Sequence, residues 1–243
     1  MNVYNEIVNG LRFKKLHMTL IDPASQGVEK AVFIAQKAEK AGTDFFMIGG
    51  STKIDSRLMD KTITEIKKTT DKRVIIFPGS SEMISKNADA IYYMMLMNSL
   101  NHDFIIGHQV RSSILLKKMD IETISMGYLI FEPGMTVGRV GSARLIERDD
   151  ENSALAYALT AEMFGFKLLY LESGSGSPTH VGENVIKRIK SEINIPVIVG
   201  GGIRDYDAAS SILNAGADII VTGTVIEKSD NVYSALKEII GAI

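Results

Sequence analysis

The chain has no cysteine in its 243 residues. That removes disulfides, thiolate nucleophiles and cysteine-based zinc sites at once, and it fits a cytoplasmic setting. Histidine is scarce as well: the 4 present, His17, His102, His108 and His180, form neither an HExxH motif nor a His/Asp cluster. No G-x-S-x-G elbow and no Walker A loop occur. No basic arm suggests nucleic acid, and the formal net charge of -2 arises from both signs spread along the chain. No run of about 18 apolar residues reads as a membrane span. Residues 1–10 lack the basic start and apolar centre of a signal peptide. No low-complexity linker or shift in composition divides the chain, so residues 1–243 read as one domain.

What is present is a series of short apolar runs that end in glycine, serine or threonine. Three of them dominate: residues 168–176, 196–203 and 218–224. A short apolar run reads as a strand buried on both faces, as in parallel sheets. The glycines that follow let a backbone approach a ligand closely. Between the second and third runs, residues 204–216 have helical spacing, with Asp205 or Asp207 to cap the start and Gly216 to stop it. Two successive glycine-rich loops on one end of parallel strands make a cup of backbone N–H groups suited to phosphate. Any one of these glycines is better read as a tight turn; the two loops together, late in the chain, favour phosphate. In a (β/α)8 barrel the loops after strands 7 and 8 are the usual phosphate site, and a length of 243 residues fits such a barrel.

The remainder of the chain alternates in the same way. Residues 2–10 read as a leading helix. Strands are expected at 16–22, 45–50, 74–80, 90–97, 127–132 and 167–171, and helices at 28–41, 56–69, 100–119, 151–164, 183–193 and 231–240. Residues 133–141 read as a long loop. Only about ten residues separate the third and fourth strands, fewer than a parallel crossover with a helix needs. The fold class expected is therefore α/β: a (β/α)8 TIM barrel with the helix between strands 3 and 4 missing or reduced. An open doubly wound sheet is the alternative.

In such a barrel the chemistry sits where strands end. Asp22 is a carboxylate just past the first strand and could hold Mg2+ beside a phosphate, or simply cap a helix. Ser51 is a hydroxyl of the kind that completes a magnesium shell, or another cap. Glu172 follows an apolar run and precedes Ser173, Gly174, Ser175 and Gly176. A partly desolvated glutamate there has its pKa raised toward working pH and can act as a general base; otherwise it is an ion-paired rim residue. His17, inside a strand, reads as a hydrogen-bonded core residue, and His180 could touch a ligand. The methionine- and tyrosine-rich strand 91–97 and the mixed segment 100–116 suit either a greasy ligand or ordinary packing.

Taken together, Leu20-Ile21-Asp22-Pro23, Gly49-Gly50-Ser51-Thr52, Phe77-Pro78-Gly79-Ser80, Tyr170-Leu171-Glu172-Ser173-Gly174-Ser175-Gly176, Val199-Gly200-Gly201-Gly202-Ile203-Arg204 and Val221-Thr222-Gly223-Thr224 resemble the geranylgeranylglyceryl phosphate synthase family, in order and over nearly the whole chain. The resemblance implies a prenyltransferase that joins a geranylgeranyl group to the 3-hydroxyl of sn-glycerol 1-phosphate in ether-lipid biosynthesis. It implies that Tyr170 to Gly176, Gly201, Gly202, Gly223 and Thr224 hold sn-glycerol 1-phosphate, that Glu172 takes the hydroxyl proton, and that Asp22 and Ser51 bind the Mg2+ that engages the polyprenyl diphosphate. Tyr92 and Tyr93 would line the groove for the prenyl tail. The family fold is a barrel lacking its third helix. A homo-oligomer and a peripheral membrane contact for product release are further implications. One departure is visible: Ala24 and Ser25 follow Asp22-Pro23 where relatives often carry a second acid, which implies a metal shell richer in water. Competing readings are a phosphosugar isomerase or aldolase, for which Lys53 and Lys167 are poorly placed, and a flavin-phosphate-binding barrel.

Overall fold

The structure, a computed structural model, describes residues 2–50 and 54–243. Eight parallel strands close into a barrel: β1 (Leu16–Ile21), β2 (Phe45–Gly49), β3 (Val74–Phe77), β4 (Ala90–Leu96), β5 (Glu122–Ile130), β6 (Leu168–Glu172), β7 (Val197–Gly200) and β8 (Ile219–Thr222), with β8 pairing back onto β1. The open doubly wound alternative is thereby excluded. Around the barrel run α2 (Pro23–Ala41), α3 (Ser56–Lys67), α4 (His108–Met119), α6 (Glu151–Met163), α7 (Glu183–Lys190), α8 (Tyr206–Asn214) and α10 (Val232–Ile240). The leading helix α1 (Val3–Leu11) buries Val3 and Ile7 in the same cluster as the interior strand residues, closing one end of the barrel. Glu122 accepts the backbone N–H groups of Val3 and Tyr4, which ties that helix start to β5. No helix among the described residues is long and apolar enough to cross a membrane.

Side chains alternate across each strand. Met18, Met47, Phe77, Tyr92, Tyr128 and Tyr170 belong to the cluster inside the barrel. Leu169, Leu171, Val197 and Val199 belong to another, packed under the helices. This alternation places Tyr170 and Glu172 on the inner face and turns Leu171 outward. His17 is buried and hydrogen-bonded, its Nδ1 2.9 Å from Thr43 Oγ1 and its Nε2 2.9 Å from Thr222 Oγ1. Burial drives its pKa down to about 3, so it is a neutral core residue, as its place in the strand suggested.

The segment 78–89 contains turns and extended chain but no helix, as the short spacing required. Met83 and Ile84 are buried there and partly replace the missing helix. Elsewhere several boundaries differ from those expected. β5 begins at Glu122 rather than at 127, because Gly127 lies within the strand: a Cβ there would sit 2.9 Å from Met97 Sδ and 3.0 Å from Ala161 Cβ. That glycine serves close strand–helix packing and does not start the strand. The expected loop 133–141 contains a short helix, α5 (Met135–Val140). α2 begins at Pro23, its first turn set off from the remainder by Gly27 at φ 66°. A five-residue helix, α9 (Thr224–Lys228), follows β8. Finally, a π-helical turn, Asp103–Gly107, leads into α4.

Candidate active site

Glu172 is the last residue of β6 and pairs in register with Ile130 of β5 and Gly200 of β7. It is only 6% exposed. Its Oε1 accepts the Gly174 N–H at 2.6 Å, and the hydroxyls of Tyr170 and Tyr128 donate to the same carboxylate. Burial pushes its pKa up to about 7, with the three hydrogen bonds opposing the shift. The group is therefore poised to accept a proton near neutral pH. Burial, reinforced by the same carboxylate, raises the Tyr128 and Tyr170 phenols well above their ordinary value, so both stay protonated and can donate to it.

The ends of β6, β7 and β8 lie side by side and wall a polar cavity of about 370 Å³, to which Tyr170, Glu172, Ser175, Gly201, Gly202, Gly223 and Thr224 contribute. Leu20, Ile203, Val221 and Thr222 complete the wall among the described residues, none of which brings a Lys or Arg side chain to it. An anion here would meet backbone N–H groups and hydroxyls. Gly201 and Gly202 stand at φ 82° and 75°; a Cβ on the first would meet Glu172 Oε1 at 2.6 Å and on the second the Thr179 carbonyl at 2.4 Å. Only glycine lets this loop pass so close to both. The loops are fastened to each other. Ser175 Oγ and Thr224 Oγ1 are 2.7 Å apart. Arg204, from the β7 loop, donates to the Ser177 carbonyl at 2.7 Å and the Gly176 carbonyl at 3.3 Å.

Not every residue of the expected set faces this cavity. Leu171 packs outward under the helices. Ser173 is fully buried and its Oγ has no partner among the described residues. Gly174 contributes through its N–H to Glu172, and Gly176 through the carbonyl that Arg204 holds. His180 is engaged by the Val181 carbonyl at 2.8 Å and lies 3.7 Å from Glu183, and it does not line the cavity.

A second, larger cleft of about 760 Å³ opens where the third helix is missing, between the loop after β3, the strand β4 and α4. Tyr92 and Tyr93 both line it from opposite faces of β4. The Tyr92 hydroxyl is buried 3.2 Å from Met18 Sδ inside the barrel, whereas Tyr93 donates to the Gln109 carbonyl at 2.7 Å. The two cavities meet at an aromatic wall. Tyr128 lines the cleft and Tyr170 the polar cup; their ring centroids are 5.2 Å apart, and each lies 5.6 Å from Phe77. Residue order assigns no role to Tyr128, Phe77 or Arg204. The Tyr128↔Tyr170 register that brings the two phenols together is a property of strand pairing, which residue order does not display.

Asp22 caps α2, its Oδ1 accepting the Ala24 N–H at 2.9 Å and its Oδ2 the Ser25 hydroxyl at 3.4 Å. Desolvation raises its pKa, against these hydrogen bonds. A Cβ on Gly50 would sit 2.7 Å from Oδ2, so the carboxylate lies against the loop after β2, and Gly50 itself opens onto the cleft. Ser51 and Lys53 lie outside the described residues. Lys167 precedes β6, at the opposite end of that strand from Glu172, with its ammonium 4.9 Å from the Tyr4 ring centroid, so it is not the strand-end lysine that the aldolase reading requires.

Residues 9–242 match the PcrB family. The chain is 68% identical over 243 residues, the full length of both, to geranylgeranylglyceryl phosphate synthase of Picrophilus torridus. It superposes with a TM-score of 0.98 on the crystal structure of (S)-3-O-geranylgeranylglyceryl phosphate synthase from Thermoplasma acidophilum in complex with substrate sn-glycerol-1-phosphate, at 58% identity and covering 100% of this chain and 98% of that one. The wild-type enzyme of Thermoplasma volcanium gives 0.97 at 56% identity, again with 100% and 98% coverage. The chain thus belongs to the PcrB family, the family of the geranylgeranylglyceryl phosphate synthases whose motifs it carries.

Proposed function

We propose that the chain transfers a geranylgeranyl group from geranylgeranyl diphosphate to the 3-hydroxyl of sn-glycerol 1-phosphate, forming the first ether bond of archaeal-type membrane lipids. The observation that carries this reading is the junction of a polar, amide-lined cup with an apolar cleft, with Glu172 in the cup beside the Tyr128 and Tyr170 rings that lie between them. One cavity suits a small phosphate ester and the other a long hydrocarbon.

In the reaction the C–O bond between the allylic carbon and the diphosphate breaks, and the glycerol oxygen bonds to that carbon. The hydroxyl proton passes to Glu172, and inorganic diphosphate departs. The loops after β6, β7 and β8 fix the phosphate of the acceptor, so its free hydroxyl is presented to Glu172 in a reactive pose. Tyr128 and Tyr170 orient that carboxylate. The donor's tail would lie in the cleft beside Tyr92 and Tyr93.

Mg2+ dependence is part of the same proposal. The half-buried Asp22 carboxylate, with no cation paired to it among the described residues, suits an ion that needs one protein carboxylate and takes its other ligands from phosphates and water. Among the described residues no group of three or more His, Asp or Glu side chains could hold a metal ion by itself. Asp22 and Ser51 would hold it, and it would neutralise charge developing on the leaving diphosphate. We expect chelation of divalent ions to abolish turnover. Asp22→Asn should raise the Mg2+ concentration for half-maximal rate by about tenfold or more, the effect of losing one charged ligand, with binding of sn-glycerol 1-phosphate unchanged. An unaltered Mg2+ requirement would remove Asp22 from this role.

Tyr128→Phe gives a second check. Its hydroxyl stabilises the ionised form of Glu172, so removing it should raise the pKa that governs kcat/KM. The rising limb of the pH profile should move to higher pH, and the rate below neutrality should drop more than the rate above it. An unshifted limb would contradict the contact's effect. The reaction itself is tested by incubating the protein with labelled geranylgeranyl diphosphate and each enantiomer of glycerol phosphate. Ether product from the sn-1 compound alone is expected; none, or equal amounts from both, would overturn the assignment.

A further inference from the structure

We propose that Met135 is a positioning residue for the general base: seated on Gly174, it holds that residue's backbone N–H on the Glu172 carboxylate. The inference rests on the prenyl-transfer reading and adds to it a residue outside the motifs that carry that reading. Met135 opens α5 at φ 47°, a left-handed conformation that suits glycine and that a residue with a Cβ seldom adopts. It is 39% exposed, so a large apolar side chain occupies an awkward backbone position with much of its surface still in water. What its inner atoms touch is Gly174. A Cβ placed on Gly174 would lie 2.6 Å from Met135 Cβ, 2.7 Å from its Cγ and 2.8 Å from the Gly134 carbonyl oxygen. Gly174 is itself buried, stands at φ 100°, and has its N–H nitrogen 2.6 Å from Glu172 Oε1.

Glycine has the greatest backbone freedom of any residue, so this peptide keeps its direction only where its neighbours hold it. On one flank stand Gly134 and Met135. On the other stands Gly201, where a Cβ would meet Gly174 N at 2.8 Å and its carbonyl oxygen at 2.9 Å. The Gly174 peptide is thus clamped between the loop after β5 and the loop after β7. The β5 jaw is anchored in turn. Ser99 Oγ donates to the Gly141 carbonyl at 2.6 Å, and the Asn98 amide donates to the Ile130 and Arg144 carbonyls at 2.8 and 2.9 Å. Val137 and Val140 of the same six-residue helix line the apolar cleft, so one short element serves both the donor's cavity and the base. Among the described residues the titratable groups that face Glu172 are Tyr128 of β5 and Tyr170 of β6, both donors to it. The Gly174 N–H is the third hydrogen bond, and like theirs it favours the ionised carboxylate. Loosening it leaves the base protonated to higher pH.

The test compares the pH profile of kcat/KM for the wild-type protein, Met135→Gly and Met135→Leu. Glycine suits the backbone and empties the contact, whereas leucine keeps Cβ and Cγ. We expect Met135→Gly to lower kcat/KM about tenfold below neutrality, the worth of one hydrogen bond to a charged group, and by less than about threefold well above it. The rising limb therefore moves to higher pH. In the same variant the Gly174 amide should exchange with solvent deuterium about tenfold faster, by the same loss, while the melting temperature stays close to that of the wild type. Met135→Leu should restore the wild-type profile. An unmoved limb in Met135→Gly, an equal loss of rate at every pH, or a leucine variant that behaves like the glycine one overturns the inference and leaves prenyl transfer intact. Absence of ether product from the wild-type protein instead refutes the reading on which it rests. Should the glycine variant fail to fold, Met135→Ala, which gives up Cγ and keeps Cβ, decides by the same limb: displaced upward it supports the inference, and unmoved it overturns it.

Discussion

Glu172→Gln lowers kcat/KM for ether formation by about 10²–10⁴-fold, the usual contribution of a positioned general base, while sn-glycerol 1-phosphate still binds. Glutamine keeps the shape and one acceptor oxygen, which can still take the Gly174 N–H, but it cannot take a proton. The same substitution should stabilise the fold. The carboxyl's pKa stands at about 7 in the folded chain against an ordinary value of 4.5. Between those values the folded state holds a proton that the unfolded state has lost, so this group's contribution to stability falls as pH rises through that window. The shift corresponds to a cost on the order of 3 kcal/mol above neutrality. Glutamine carries no such cost. The variant should melt higher than the wild-type protein at pH 8, and the two melting temperatures should converge as pH falls toward 4.5. Loss of activity joined to a gain in stability is the mark of a functional group held in an unfavourable place. Near-normal turnover, or a variant less stable at pH 8, would contradict the role given to Glu172.

The second large effect is expected at Gly202→Ala. The residue stands at φ 75°, and a Cβ would lie 2.4 Å from both the carbonyl carbon and the oxygen of Thr179. No flexible side chain can give way, because the obstacle is backbone. The left-handed conformation alone costs about 1–3 kcal/mol for a non-glycine residue, and the overlap forces the loop to move in addition. We expect the affinity for sn-glycerol 1-phosphate to fall by 100-fold or more, equivalent to about 2.7 kcal/mol or more, with a lowered melting temperature. Calorimetric titration of the phosphate ester onto the variant checks this. A pair of near-equal affinities would show that the β7 loop does not grip the phosphate. Gly27 provides a comparison within the same protein. It also has a positive φ, 66°, but a Cβ on it would meet nothing within 4 Å, so alanine there should cost backbone strain without altering ligand affinity.

The two sites explain what can be read from residue order and what cannot. Buried parallel strands are near-continuous apolar runs, and each barrel strand ends in residues of a different kind, so 168–172, 197–200 and 219–222 are visible as strands and Glu172 as a strand-end acid. The gap between β3 and β4 is too short for a helix by chain length alone. Glycine misleads where it serves packing: Gly127 reads as the start of a strand that in fact begins five residues earlier, at Glu122. Short helices such as Met135–Val140, with a glycine inside, carry too little periodicity to register. The wall between the cavities is out of reach for a different reason. Tyr128, Tyr170 and Phe77 come from three strands, and their meeting depends on register and on which face each strand turns inward. Leu171 shows the same limit from the other side: it sits within the most specific motif, yet the two-residue alternation that turns Tyr170 and Glu172 inward sends it out beneath the helices.

The account depends on the phosphate end of the acceptor lying in the amide-lined cup with its free hydroxyl toward Glu172. Determination of the crystal structure of this chain with sn-glycerol 1-phosphate bound tests that placement directly. The phosphate is predicted to lie against the backbone N–H groups at Gly202 and Gly223, with the 3-hydroxyl within hydrogen-bond reach of the Glu172 carboxylate. A phosphate seated in the cleft beside Tyr93, or a hydroxyl turned away from Glu172, would contradict it.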